Sequence, residues 1–120
     1  MKRRNILSDS GNLKNDFAEA AAIRLDSMIN YQNQAIVSRE IIKKDTGTVT
    51  LFAFDEGQGL SEHTAPFDAL VQVIEGEAEI NIAGKPNLLK GGDIIIMPAG
   101  KPHSLKALKK FKMLLVMIRS

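Results

Sequence analysis

From Ala35 onward the chain is written in short apolar runs, each closed by glycine, proline or an acidic turn. Such even punctuation predicts an all-β fold, a sandwich or barrel of antiparallel strands. The runs place strands at 35–44, 48–54, 69–75, 77–83, 86–90, 93–98, 103–107 and 111–119, separated by turns such as DTGT, DEGQG, AGKP and KGGD. EAEINIA alternates cleanly, with Ala78, Ile80 and Ile82 on the inward face and Glu77, Glu79 and Asn81 toward water. FKMLLVMI is apolar on both faces after Lys112. A strand of that kind is either buried on both sides or covered by a second subunit.

Before Ala35 the periodicity differs. Asp16 and Glu19 have the spacing of a capping box, and Phe17, Ala21, Leu25 and Met28 recur at helical intervals. They predict a short helical or arm-like segment within residues 1–34, not a separate domain, ahead of one barrel domain over 35–120. A chain of 120 residues suits that single-domain division.

Composition narrows the functional classes. Hydrophobic residues make up 44% and charged residues 25%, the balance of an ordinary soluble domain. With no cysteine there are no disulfides, thiolate metal sites or cysteine nucleophiles. The basic N-terminus has no apolar stretch behind it to form a secretory signal, and no apolar run is long enough to cross a bilayer. A cytoplasmic setting of bacterial type fits these features. The net charge of +2 comes largely from lysines and arginines near the two ends, without a recognition helix or stacking aromatics, so no nucleic-acid partner is expected.

Candidate chemistry centres on the two histidines, in LSEHTAPFDALVQVIEG and GGDIIIMPAGKPHSLKA. Gly92, Pro98 and His103 match G-x5-P-x4-H-x3-N, with Ala107 in place of the final Asn. His63 and Gly76 match G-x5-H-x-H-x3,4-E-x6-G, with Ala65 at the second His, Ala69 at the Glu, and Gly57 and Gly59 near its opening glycine. From roughly Ile36 to Ile118 the chain therefore resembles the cupins, in their small conserved-barrel form with a degenerate metal motif. The resemblance implies a double-stranded β-helix, or jelly-roll barrel, and a homodimer, since small cupins commonly pair. The N-terminal segment is the candidate for packing across to the partner.

Strand parity gives the same residues a physical reading. His103, Leu105 and Ala107 share one face, and so do His63, Ala65, Ala69, Val71 and Val73 if the bend at Pro66 preserves phase. Ala65, Ala69, Val71, Val73, Leu105 and Ala107 are thus the candidate pocket lining. Asp68, Glu62 and Gln72 have the opposite parity, and only a bulge could turn one of them inward.

A catalytic metal site normally takes three protein ligands, and the complete site implied by the resemblance has three histidines and a glutamate. Here two imidazoles remain. Three readings stay open: two hydrogen-bonded histidines with no ligand role, a metal held between His63 and His103, or a metal-free pocket using them as polar or acid–base groups. Imidazole favours a divalent transition metal such as Ni, Zn, Fe, Mn or Cu. The expected function is a stand-alone small cupin that binds a small molecule in its barrel. The alternative is a metal-dependent enzyme of dioxygenase, isomerase or decarboxylase type; the alanines at 65 and 69 favour the binding module.

Overall fold

The computed structural model describes residues 20–119. Nine strands follow in chain order: β1 (Ile36–Lys44), β2 (Gly47–Phe54), β3 (Gly59–His63), β4 (Asp68–Glu75), β5 (Glu77–Ile82), β6 (Lys85–Lys90), β7 (Ile94–Met97), β8 (His103–Ala107) and β9 (Phe111–Ile118). All pair antiparallel, in a five-stranded sheet ordered β1-β2-β9-β4-β7 and a four-stranded sheet ordered β3-β8-β5-β6. Only β1–β2 and β5–β6 are hairpins within one sheet; every other connection carries the chain across to the opposite sheet. The result is the all-β barrel of antiparallel strands that the strand pattern predicted, in the jelly-roll form that the resemblance implied.

The inner faces of the two sheets close on one core. Val71, Val73, Ala78, Ile80 and Phe54 have no exposed surface, and the Phe54 and Phe111 rings stack at 4.5 Å between centroids, 15° from parallel. This is the offset arrangement aromatic rings favour, and it fills the centre of the barrel.

Strand β3 is the one that the sequence pattern does not announce. GLSEH has a single apolar residue, Leu60, because β3 is an edge strand paired only to β8, and four of its five positions are exposed. An edge strand facing water on one side carries little hydrophobic periodicity.

The helix expected around Phe17–Met28 is replaced, from Ala20 onward, by extended chain with one 3-10 turn at Leu25–Ser27. Phe17, Asp16 and Glu19 lie outside the described residues. Tertiary burial overrides the local helical preference here. Leu25, Met28, Ile29 and Tyr31 lie on the outer face of the five-stranded sheet against Leu51, Ala53, Ile74 and Leu114. The same sheet therefore has a second, smaller core, which buries the outward residues at the Phe111 end of β9.

Polar groups fasten this strap. Lys112 Nζ, on a side chain only 9% exposed, donates to the Asp26 carbonyl at 2.6 Å and lies 3.9 Å from the Glu75 carboxylate. Arg39 donates to the Met28 carbonyl, and the Tyr31 hydroxyl donates to Glu75 Oε2, both at 2.7 Å. Burial first, and then the Glu75 carboxylate, push the Tyr31 phenol well above its ordinary range, so it remains a donor. At the strap's far end Asp55 accepts from the N–H groups of Gln34 and Glu56; the Gln34 bond first, then the Glu56 bond, hold its carboxyl below the usual carboxylate range. Lys112→Leu keeps the volume but leaves the Asp26 carbonyl without its charged donor. It should lower stability by about 1.5–3 kcal/mol, read as a shift in the urea midpoint.

Candidate functional site

The site begins with a bulge. Leu60 pairs with Leu105 and His63 pairs with His103, so β3 uses three steps where β8 uses two. Without that extra residue simple alternation from Leu60 would turn Glu62 inward and His63 out. The bulge at Ser61 and Glu62 reverses this and brings His63 onto the face of His103. His103 is held by strict alternation: with Leu105 and Ala107 it forms the buried face of β8.

The two side chains meet at the barrel mouth. Their rings lie 4.4 Å apart between centroids, at 68° to each other, with His103 6% exposed and His63 open to solvent. Each ring is fixed by a local hydrogen bond: His63 Nδ1 lies 2.8 Å from the Ser61 carbonyl and His103 Nδ1 lies 3.1 Å from the Lys101 carbonyl. A carbonyl oxygen can only accept, so both Nδ1 atoms carry the proton. In the neutral ring the lone pair is then on Nε2, the tautomer that suits a ligating imidazole.

The other sequence-derived positions fall as follows. Ala69 faces inward on β4 at 5% exposure, with Met97 on one side and Met117 on the other as its register partners. Ala65 lies half-buried in the β3–β4 connection, where its carbonyl accepts from the Gly100 N–H at 2.8 Å. Leu105 is 5% exposed, while Val71, Val73 and Ala107 pack in the core with the phenylalanine stack. Asp68 points away as its parity required, accepting the Ala99 N–H at 2.9 Å. Gly57, six residues before His63, is the motif's opening glycine; its N–H donates to the Ala107 carbonyl at 2.9 Å.

Among the described residues no group of three or more His, Asp or Glu side chains could hold a metal ion. Two neighbouring imidazoles, with ring centroids 4.4 Å apart, make an incomplete donor set for a metal. Further donors would have to come from solvent or from a bound ligand. A concavity of about 560 Å³ lies on the outer face of the four-stranded sheet, lined in part by Ser61, Glu62, Glu79, Asn81, Ser104 and Lys106. Sequence reasoning did not single it out. These polar side chains come from outward positions of β5 and of the two strands, β3 and β8, that carry the histidines.

A jelly-roll barrel with a histidine pair at its open end defines the class. The family model for the cupin domain matches residues 50–119, and the chain belongs to the cupin family. Among solved structures it is similar to a conserved protein of unknown function from Streptococcus pyogenes, at 33% identity over 87% of this chain and 91% of that one, TM-score 0.83. It is also similar to a cupin 2 conserved barrel domain protein from Leptotrichia buccalis, at 36% identity and TM-score 0.78 over 81% of this chain and 47% of that one. A cupin superfamily protein from Desulfitobacterium hafniense is 26% identical over 86% of this chain and 94% of that one, TM-score 0.81. A comparison with curated proteins gives no match. Among the described residues no helix is long and apolar enough to cross a membrane.

Proposed function

We propose that this cupin is a binding module whose barrel mouth takes a small molecule together with a weakly held divalent transition metal between His63 and His103. The observation that carries the reading is the matched pair of imidazoles, each with Nδ1 tied to a backbone carbonyl and Nε2 free. A metal bound there would act as a Lewis acid toward an oxygen-bearing ligand. His63 and His103 would hold it, Ala69 and Leu105 would form the apolar wall beside it, and the ligand would complete the donor set. The absence of cysteine agrees with a cytoplasmic setting.

Alanine at both 65 and 69 supports binding over catalysis, because the protein itself supplies too few donors to keep a reactive metal in place. Calorimetric titration with Zn²⁺ and Ni²⁺ tests this. Wild type should bind one equivalent per chain, more tightly when a small 2-oxo acid is present. His63→Ala and His103→Ala should each weaken binding at least about tenfold, the lower range of what even outer-shell partners are worth. Equal binding by wild type and both variants would place the metal elsewhere and end the reading.

A further inference from the structure

Three parts of the chain meet at the end of the barrel that carries the histidines. Only residues 64–67 separate His63 from β4, so the start of β4 lies at that end. There Ala69 neighbours Met117 on β9, and Met117 neighbours Thr48 on β2, along the inner face of the five-stranded sheet. Arg119 follows β9 with the parity of Met117, and its N–H donates to the Thr46 carbonyl at 2.9 Å. Its guanidinium lies over the ring of Phe67, in the β3–β4 connection, with Cζ 4.8 Å from the ring centroid. Gly47, Thr48, Phe67, Met117 and Arg119 line a small cavity of about 40 Å³.

Two polar groups of this corner serve no contact that holds the fold. Thr48 Oγ1 is buried and has no hydrogen-bond partner among the described residues, and a buried hydroxyl left unpaired costs stability. Among the described residues Arg119 makes no ion pair. Its contact is instead with an aromatic face, which holds the planar group in place while leaving its N–H donors at the edge available. Asp68, next to Phe67, turns outward and accepts the Ala99 N–H.

The geometry points to a carboxylate site in this corner, which rests on the mouth being a small-molecule site and names the class of its ligand: a small organic acid. Arg119 donates to both carboxylate oxygens from its planar fork, and the Thr48 hydroxyl donates a third hydrogen bond. Size selects the group. A cavity of about 40 Å³ takes a water or a carboxylate head and little more, so the carbon skeleton extends into the mouth between the two sheets. A tetrahedral phosphate needs more room and more donors than the corner offers. Phe67 and Met117 make the remaining walls apolar, and charge-assisted hydrogen bonds strengthen where water is kept out.

Proton–nitrogen NMR titration of the metal-free full chain with pyruvate, and with its neutral amide pyruvamide, tests the site. Pyruvate should give saturable shifts at the amides of Thr48, Phe67, Met117 and Arg119. Pyruvamide should bind at least about tenfold more weakly, and so should pyruvate to Arg119→Gln, an exposed position where the fold survives. Thr48→Val should also weaken pyruvate about tenfold, yet hold or raise the melting temperature, because it removes a hydroxyl that nothing in the fold satisfies. Lys90→Gln removes an equal charge from an exposed position on the other sheet and should bind as wild type does. No saturable shift, as for a cavity that holds water alone, would overturn the proposal. So would equal affinity for acid and amide, wild-type affinity in Arg119→Gln or Thr48→Val, or an equal loss in Lys90→Gln. With metal absent, the outcome is separate from that of the histidine pair. Zn²⁺ binding without pyruvate shifts overturns the carboxylate site alone, and pyruvate shifts without Zn²⁺ binding leave it standing.

Discussion

Gly76→Ala should destabilise the protein by about 4 kcal/mol or more, a large share of the ~5–15 kcal/mol that holds a domain folded. Gly76 alone joins β4 to β5, so one residue must turn the chain from the five-stranded sheet to the four-stranded one. It does so at φ +87, where a side chain costs roughly 1–3 kcal/mol in strain. Space is the larger obstacle. An added Cβ would overlap the Lys110 carbonyl oxygen and stand 2.6 Å from both Cα and Cβ of Phe111. The obstacle is backbone on a central strand, and Phe111 cannot retreat without breaking its stack on Phe54. Gly84→Ala is the comparison: its φ of +84 is nearly the same, but nothing lies within 4 Å of the added atom, so strain acts alone. Urea unfolding of both variants separates the two contributions. A loss at Gly76 no greater than that at Gly84 would show that the corner relaxes freely.

That glycine is visible in the sequence as the end of a family motif, but its reason is not. The same division runs through the molecule. EAEINIA declares itself because one face is buried and the other is not, and the period of two survives in the residue order. DIIIMP, apolar on both faces, is announced instead by the glycine pair before it and the proline that ends it. GLSEH does not declare itself, since an edge strand at the mouth buries only Leu60. The helical spacing of Ala21, Leu25 and Met28 misleads, because the same apolar residues can lie along a sheet face once a 3-10 turn intervenes. Lys112 reads as a solvated charge and is instead among the most buried polar residues, stretched beneath the strap to a carbonyl 86 residues away in sequence.

The site was legible in a particular sense. Both histidines could be assigned inward from motif position, and Asp68 outward from parity. Simple alternation through β3, however, would have turned His63 to the wrong side. The bulge that corrects it follows from pairing with β8, a relation between residues 60–63 and 103–105 that no local window contains. The pair's tautomers likewise depend on carbonyls of Ser61 and Lys101 whose positions only the folded backbone fixes.

Ala65→His with Ala69→Glu should convert the two-imidazole mouth into a four-donor site, with a gain in Zn²⁺ or Ni²⁺ affinity of at least about a hundredfold, the upper range of what even outer-shell partners contribute. Residue 69 points into the barrel from the sheet opposite the histidines, so a carboxylate there is placed on the inner face that the histidine strands also line. Its neighbours Met97 and Met117 must yield space, and that overpacking should lower stability by about 1–3 kcal/mol before metal is added. Metal should restore part of the loss, because an ion that binds only the folded state stabilises it. Competition against a chromophoric chelator measures the affinity, and thermal melting with and without metal measures the linkage. Gln72→Glu supplies the control: it adds the same charge on the same strand but on the outward face, and should gain nothing. If Gln72→Glu bound metal as tightly as the double variant, bulk charge would explain the gain. If the double variant bound no more tightly than wild type, the alanines would not occupy coordinating positions, and His63 and His103 would be left as a hydrogen-bonded pair at the rim of a closed core.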